Sequence, residues 1–232
     1  MALVVPGPMA GQISGRVGSV VFSHNKGGPY VRNGTIPTAS TTPAALAAKA
    51  RLGGAATTWI TLTAAQRLAW KEWAGENPAV NRVGHQITLT GISAFVGNFA
   101  RMHLASETTL VVPPIVSGPL PLLSFSITAD LFTPGCAATF TPTPLGTNDA
   151  LWMEAVVLNS AAINHVGNLT RWIGCTAKAA ATDYDFQTDI EAVFGSLTEG
   201  QTIVMLASVF DRVTGLLSTP VRASTVVVDT TV

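Results

Sequence analysis

The sequence predicts an α+β chain of two domains: a helical module behind a β-hairpin arm, then an antiparallel β-sandwich. Three observations carry that expectation. Helix start and stop signals recur from Thr42 to Pro78. Prolines crowd residues 106–121, where they fix φ and remove backbone donors. Beyond residue 122 the apolar residues stop recurring at helical spacing and begin to alternate. The predicted divisions are an extended arm with a hairpin (1–40), a helical module (41–105), a stiff linker (106–121) and a sandwich (122–232).

In the arm, Ser19-Val20-Val21-Phe22-Ser23 and Pro29-Tyr30-Val31-Arg32 flank the turn-forming run His24-Asn25-Lys26-Gly27-Gly28, which predicts a hairpin. A lone hairpin is marginal in water, so this one must pack on the helices or on a neighbouring subunit. Gly11, Gly15 and Gly18 fit neither the Walker pattern nor a strand-to-helix phosphate turn.

Thr42-Pro43 reads as a cap followed by proline at the first helical position, and the good helix formers of 44–52 follow. Gly53-Gly54 is expected to break or bend that helix before Trp59. Thr63-Ala64-Ala65-Gln66 has capping-box spacing, so a second helix begins there. At 100° per residue, Ala65, Ala69, Trp70 and Trp73 share a stripe that faces either the rest of the module or a partner. Gly75 and Asn77-Pro78 supply the stop. Val83–Thr90 predicts a short strand or loop. Ile92, Phe95, Val96, Phe99, Met102 and His103 then recur at helical spacing, capped by Thr90 or Ser93.

The order Ser14–Phe22, then Lys26–Arg32 with its Gly-Gly-x-Tyr-Val-Arg run, then Trp59-x-x-Leu62-Thr63-x-x-Gln66-Arg67-x-x-Trp70, resembles an N-terminal module of virion-associated proteins of tailed bacteriophages. The likeness covers residues 11–104. It implies a structural part of a phage particle and carries no catalytic residues.

In the C-terminal domain, 122–128, 137–141, 150–158, 170–176, 202–210 and 221–228 read as strands separated by Pro, Gly, Asn and Asp turns. That many strands in so short a span predicts an antiparallel sandwich. Leu197-Thr198-Glu199-Gly200-Gln201-Thr202-Ile203, followed by a strand and Asp211-Arg212-Val213-Thr214-Gly215, resembles the corner and hairpin of a fibronectin type III module. Ile203 stands where that family usually has tyrosine.

Composition narrows the function classes. Hydrophobic residues make up 47% of the 232, enough for real cores, while charged residues make up only 11%. So sparsely charged a surface favours being covered by neighbours. The net charge of zero hides an asymmetry: residues 1–105 hold nine of the 13 Lys and Arg against Glu72 and Glu76, a net of +7, and the remainder therefore nets −7. Such halves suit different partners, or the basic half of one copy meeting the acidic half of another. The basic residues are dispersed without interleaved aromatics, which argues against nucleic acid. No basic leader precedes the Pro6- and Pro8-broken start, and no run reaches the about 18 apolar residues of a membrane span, so a soluble chain made in the cytosol is expected.

Reaction chemistry is not legible. Cys136 and Cys175 have no metal-like spacing and read as buried thiols or a disulfide; His24, His85, His103 and His165 are scattered. Asp183, Asp185, Asp189 and Glu191 lack the calcium-loop pattern and read as a solvated connection. Ser208, Asp211 and His165 form no nucleophile elbow. The expectation is a non-enzymatic virion protein without cofactor, metal, small-molecule substrate or membrane contact. It would be capsid-associated or else part of the neck or tail, docking on other virion proteins and on its own copies. Phe22, Tyr30, Arg32, Trp59, Trp70 and Trp73 are the docking candidates. Trp152 and Trp172 are core or edge residues, or in a weaker alternative a sugar-stacking platform of a receptor-binding module.

Overall fold

A computed structural model describes residues 2–3, 13–25, 28–34, 41–80, 85–132, 135–159, 166, 169–181 and 183–230. The chain is α+β, and its contacts divide it into two units, Met1–Val96 and Gly97–Val232.

The first unit begins with more sheet than the expected hairpin. Strands β1 (Ala2–Leu3), β2 (Gly15–Val17), β3 (Val20–Asn25) and β4 (Gly28–Asn33) pair antiparallel in the order β1-β4-β3-β2. Gly18, at φ 59°, supplies the left-handed residue that turns β2 back into β3. The tip of the predicted hairpin at Lys26-Gly27 lies outside the described residues.

Helix α1 runs unbroken from Pro43 to Thr61, so Gly53-Gly54 does not interrupt it. Helix propensity is a weak prior, about 1 kcal/mol per glycine. Here tertiary packing outweighs it: Ala55 is buried and Trp59 packs on Phe95, while the Thr57 and Thr58 hydroxyls donate back to the Gly53 and Gly54 carbonyls at 3.0 and 2.9 Å. Helix α2 (Ala64–Glu76) starts with the reciprocal capping box: the Thr63 hydroxyl accepts from the Gln66 N–H, and the Gln66 amide oxygen accepts from the Thr63 N–H. The Asn77 side chain closes its far end by donating to the Trp73 carbonyl.

A two-stranded ladder, β5 (Ala79–Val80) with β6 (Gln86–Ile87), leads to helix α3 (Gly91–Leu104), whose first turn is capped by Thr90 accepting from the Ser93 N–H. Val83 lies outside the described residues. A Cβ at Gly91 would stand 2.9 Å from the Lys71 backbone nitrogen, so only glycine lets α3 start this close to α2. Leu62, Trp70, Ala74, Ala94 and Phe95 are buried in this unit.

The second unit holds the last turns of α3 and strands β7 (Ser124–Ala129), β8 (Cys136–Thr141), β9 (Asp149–Leu158), β10 (Arg171–Cys175), β11 (Tyr184–Asp185), β12 (Thr202–Asp211) and β13 (Val221–Val226). All six expected strands are present within a residue or two. They form one antiparallel sheet in the order β10-β9-β12-β13 and another in the order β11-β8-β7. Phe125, Ile127, Ala138 and Phe140 of the smaller sheet and Leu151, Met153, Ile203 and Met205 of the larger share a single core, consistent with a β-sandwich.

The acidic segment expected as a solvated connection is instead β11 and helix α4 (Gln187–Phe194). Phe186, Ile190, Val193 and Phe194 fall on one face of that turn of helix, and Phe186 and Ile190 are fully buried in the core.

Strands β9 and β12 are buried on both faces. Part of their second face is covered by the end of α3, where Met102 and Ala105 pack on Trp152 and Phe210, and Val166 joins Val156, Leu158 and Val204 in a separate cluster. Polar contacts fix that end: the buried Asn98 amide donates to the Thr214 carbonyl at 2.8 Å, and Arg101 donates to the Gly215 carbonyl at 2.9 Å. Arg212 donates to the Ala105 carbonyl and pairs with Glu107 at 2.7 Å. Burial lowers the pKa of Arg101, which remains a cation at any ordinary pH. No helix among the described residues is long and apolar enough to cross a membrane.

Candidate functional site

The apolar stripe of α2 brings its tryptophans against α3. Trp70 lies edge-on to Phe95 with centroids 5.5 Å apart and to Trp73 at 5.8 Å, while Trp59, from the end of α1, meets Phe95 at 5.4 Å. These three tryptophans do not share one fate. Trp70 has no exposed surface and belongs to the core of its own unit, which removes it as a docking residue. Trp59 and Trp73 are half-buried and remain at the surface.

Trp59 also lines a groove of about 710 Å³. Its apolar wall is Trp59, Leu68, Leu89 and Ile92; its cations are Arg67 and Lys71, one helical turn apart on α2. Arg67 donates its Nε–H to the Leu62 carbonyl at 3.0 Å, which holds the guanidinium at the rim. Leu68 and Ile92 are 53% and 41% exposed, so the wall is open to solvent. An apolar segment bearing a carboxylate has the matching chemistry.

The N-terminal half of α1 reads in the sequence only as a run of good helix formers, and the structure leaves it largely exposed. From Ala44 to Ala50 the helix carries alanine, leucine and Lys49, almost all exposed, with Leu46 at 52% and Leu52 at 59%. Ala55 is the one fully buried residue of the whole helix. A helix apolar around most of its circumference is normally buried. The available signal was the alanine content, with Lys49 and Arg51 the helix's only charged residues.

The candidates of the N-terminal sheet separate onto its two faces. Register pairs Phe22 with Val31, whereas Tyr30 pairs with Ser23 and Arg32 with Val21. Side chains directly opposite one another share a face and neighbours along a strand do not, so Phe22 points away from Tyr30 and Arg32. Arg16 also pairs with Val21, which sets Arg16 and Arg32 in one row. Phe22 and Tyr30 are half-buried, and Arg32 is exposed.

In the second unit, Trp152 and Trp172 approach to 5.6 Å, and Trp152 meets Phe210 at 5.2 Å. Trp152 is 4% exposed beneath Met102 and Ala105, so no sugar ring can stack on it; the sugar-platform alternative fails there because the helix already covers that face. The Trp152 indole donates to Glu154 at 3.3 Å, while the buried Trp172 indole N–H has no acceptor among the described residues.

Cys136 and Cys175 are free thiols in different clusters. Burial pushes both up to about 11, which keeps them protonated and poorly nucleophilic near neutral pH. Burial and the carboxylate of Asp189, to which its hydroxyl donates, also raise the Tyr184 phenol. Among the described residues no group of three or more His, Cys, Asp or Glu is placed to hold a metal ion. His165 lies outside the described residues.

Compared with protein-family models, curated proteins and solved structures, the chain gives no match.

Proposed function

We propose that the chain is a non-enzymatic structural protein of a tailed-bacteriophage particle, associated with the capsid as a decoration or minor capsid component. The single observation that carries a docking role is the exposed apolar half of α1 around Leu46 and Leu52, joined on the same unit by an open, cation-rimmed groove. Apolar side chains left open to solvent along a helix are suited to being covered by a partner. The phage assignment itself rests on the Gly-Gly-x-Tyr-Val-Arg and Trp-x-x-Leu-Thr-x-x-Gln-Arg-x-x-Trp motifs.

In this reading the first unit seats on shell proteins, and the second, an immunoglobulin- or fibronectin III-like sandwich, projects from the particle or meets neighbouring copies. Many copies on a symmetric lattice gain avidity from contacts that are individually weak. Quantitative mass spectrometry of purified particles from the host carrying this gene tests it. The expected result is a fixed number of copies per particle that survives a high-salt wash. Absence from the particles, with the protein present in the lysate, rejects the proposal.

A further inference from the structure

The groove of the first unit has a counterpart on the second. Backbone bonds bring three exposed apolar residues and a carboxylate together at the end of β13. Val226 and Val228, 47% and 44% exposed, are two residues apart on one face of the strand end. The Leu131 N–H donates to the Val228 carbonyl at 2.9 Å, which sets the adjoining Phe132, 65% exposed, beside them. The Gly200 N–H donates to the Val227 carbonyl at 2.9 Å, which places the turn carrying the exposed Glu199 at the same strand end. An aromatic and two valines next to an acid face solvent here.

We infer that this Phe132–Val226–Val228–Glu199 surface docks into the Trp59 groove of a second copy of the chain, with Glu199 meeting Arg67 and Lys71. Two complementarities select a copy as the occupant. The groove offers an apolar wall with two cations, and the strand end offers an apolar knob with an acid. Over the whole chain the same signs hold, with residues 1–105 at +7 and the rest at −7 because nine of the 13 basic residues and only two of the 13 acidic ones fall in the first stretch. Opposed potentials of that size steer like copies together and disfavour groove-to-groove pairing. The contact sets the groove of one copy against the strand end of another. This deepens the docking reading by naming one partner, yet it does not depend on the particle being a phage.

Sedimentation velocity of the full-length protein over a concentration series at low salt tests the inference. The wild type is expected to associate reversibly and to dissociate as salt screens the charges. Arg67→Glu/Lys71→Glu, and separately Glu199→Lys, should each weaken association about tenfold or more. Mixing the two variants should restore it, since each retains one intact surface and the altered pair is again opposite in sign. All these positions are exposed, and unchanged thermal unfolding checks that the variants fold. A wild type that stays monomeric throughout overturns the inference, as does association that the charge reversals leave untouched. A monomeric wild type whose particle incorporation is lost in Arg67→Glu/Lys71→Glu also overturns it, assigning the groove to another particle protein and leaving the proposed function standing.

Discussion

Asn98 on α3 and Thr214 in the turn after β12 are 116 residues apart in sequence, and the Asn98 amide donates to the Thr214 carbonyl at 2.8 Å. The contact leaves no room at the next residue: a Cβ on Gly215, whose φ is 70°, would stand 2.5 Å from the Asn98 amide nitrogen. Helix end and turn are therefore specified together. Asn98→Ala should cost about 1–3 kcal/mol, because it removes a buried amide and its bond to the half-buried Thr214. Gly215→Ala adds a left-handed strain to a clash with Asn98 and Met102 and should cost at least as much. Urea unfolding of the two variants and the pair checks this, with the double variant less than additive.

Trp70 and Trp73 sit on the same stripe of α2 but should respond differently to truncation. Trp70→Ala opens a cavity against Phe95 and Trp73 and should cost about 3–5 kcal/mol. Trp73→Ala removes a half-buried ring and should cost clearly less. Thermal unfolding monitored by tryptophan fluorescence distinguishes them.

Both thiols have folded pKa values raised from 9.0 to about 11. A raised pKa means that the folded state holds the proton more tightly than the unfolded chain does. That contribution is fully present below pH 9 and is lost as pH rises toward about 11. The expected outcome is denaturant stability falling across this alkaline window, with a shallower fall in Cys136→Ala. A chromogenic disulfide reagent at pH 8 should react slowly with the native protein and readily after denaturation.

Asp130 works in the opposite direction. The Thr230 hydroxyl donates to its carboxylate at 2.6 Å, the Phe132 N–H donates at 3.0 Å, and these bonds lower its pKa from 3.8. The stability they contribute is present above about pH 4 and is lost as pH falls through the depressed value. Asp130→Asn should flatten the acid limb of the stability profile, measured by chemical denaturation from pH 6 downward.

Much of this architecture was legible because local signals and global packing agree. The Thr63–Gln66 box, Thr42-Pro43 and the alternating strands declare themselves within a few residues. What escaped were features fixed by distant partners. Gly53-Gly54 reads as a break because propensity is local, whereas the Trp59–Phe95 packing that helps hold the helix comes from α3. Phe186 and Ile190 were hidden among acids, although their spacing marks one helical face. Trp152 reads as core or edge from its strand, and it is core, but nothing near it in sequence announces that Met102 and Ala105, some fifty residues earlier, are what cover its ring. For the candidate site, the tryptophan stripe was readable as apolar, but only the packing of α3 separates the core residue Trp70 from the groove residue Trp59.

Particle incorporation of Leu46→Glu/Leu52→Glu tests the central claim most directly. Both side chains are more than half exposed, so the substitutions leave the fold of the isolated protein intact, as thermal unfolding can verify. If α1 is the docking element, the folded variant is lost from purified particles while the wild type is retained. Incorporation of the variant at the wild-type level contradicts the account.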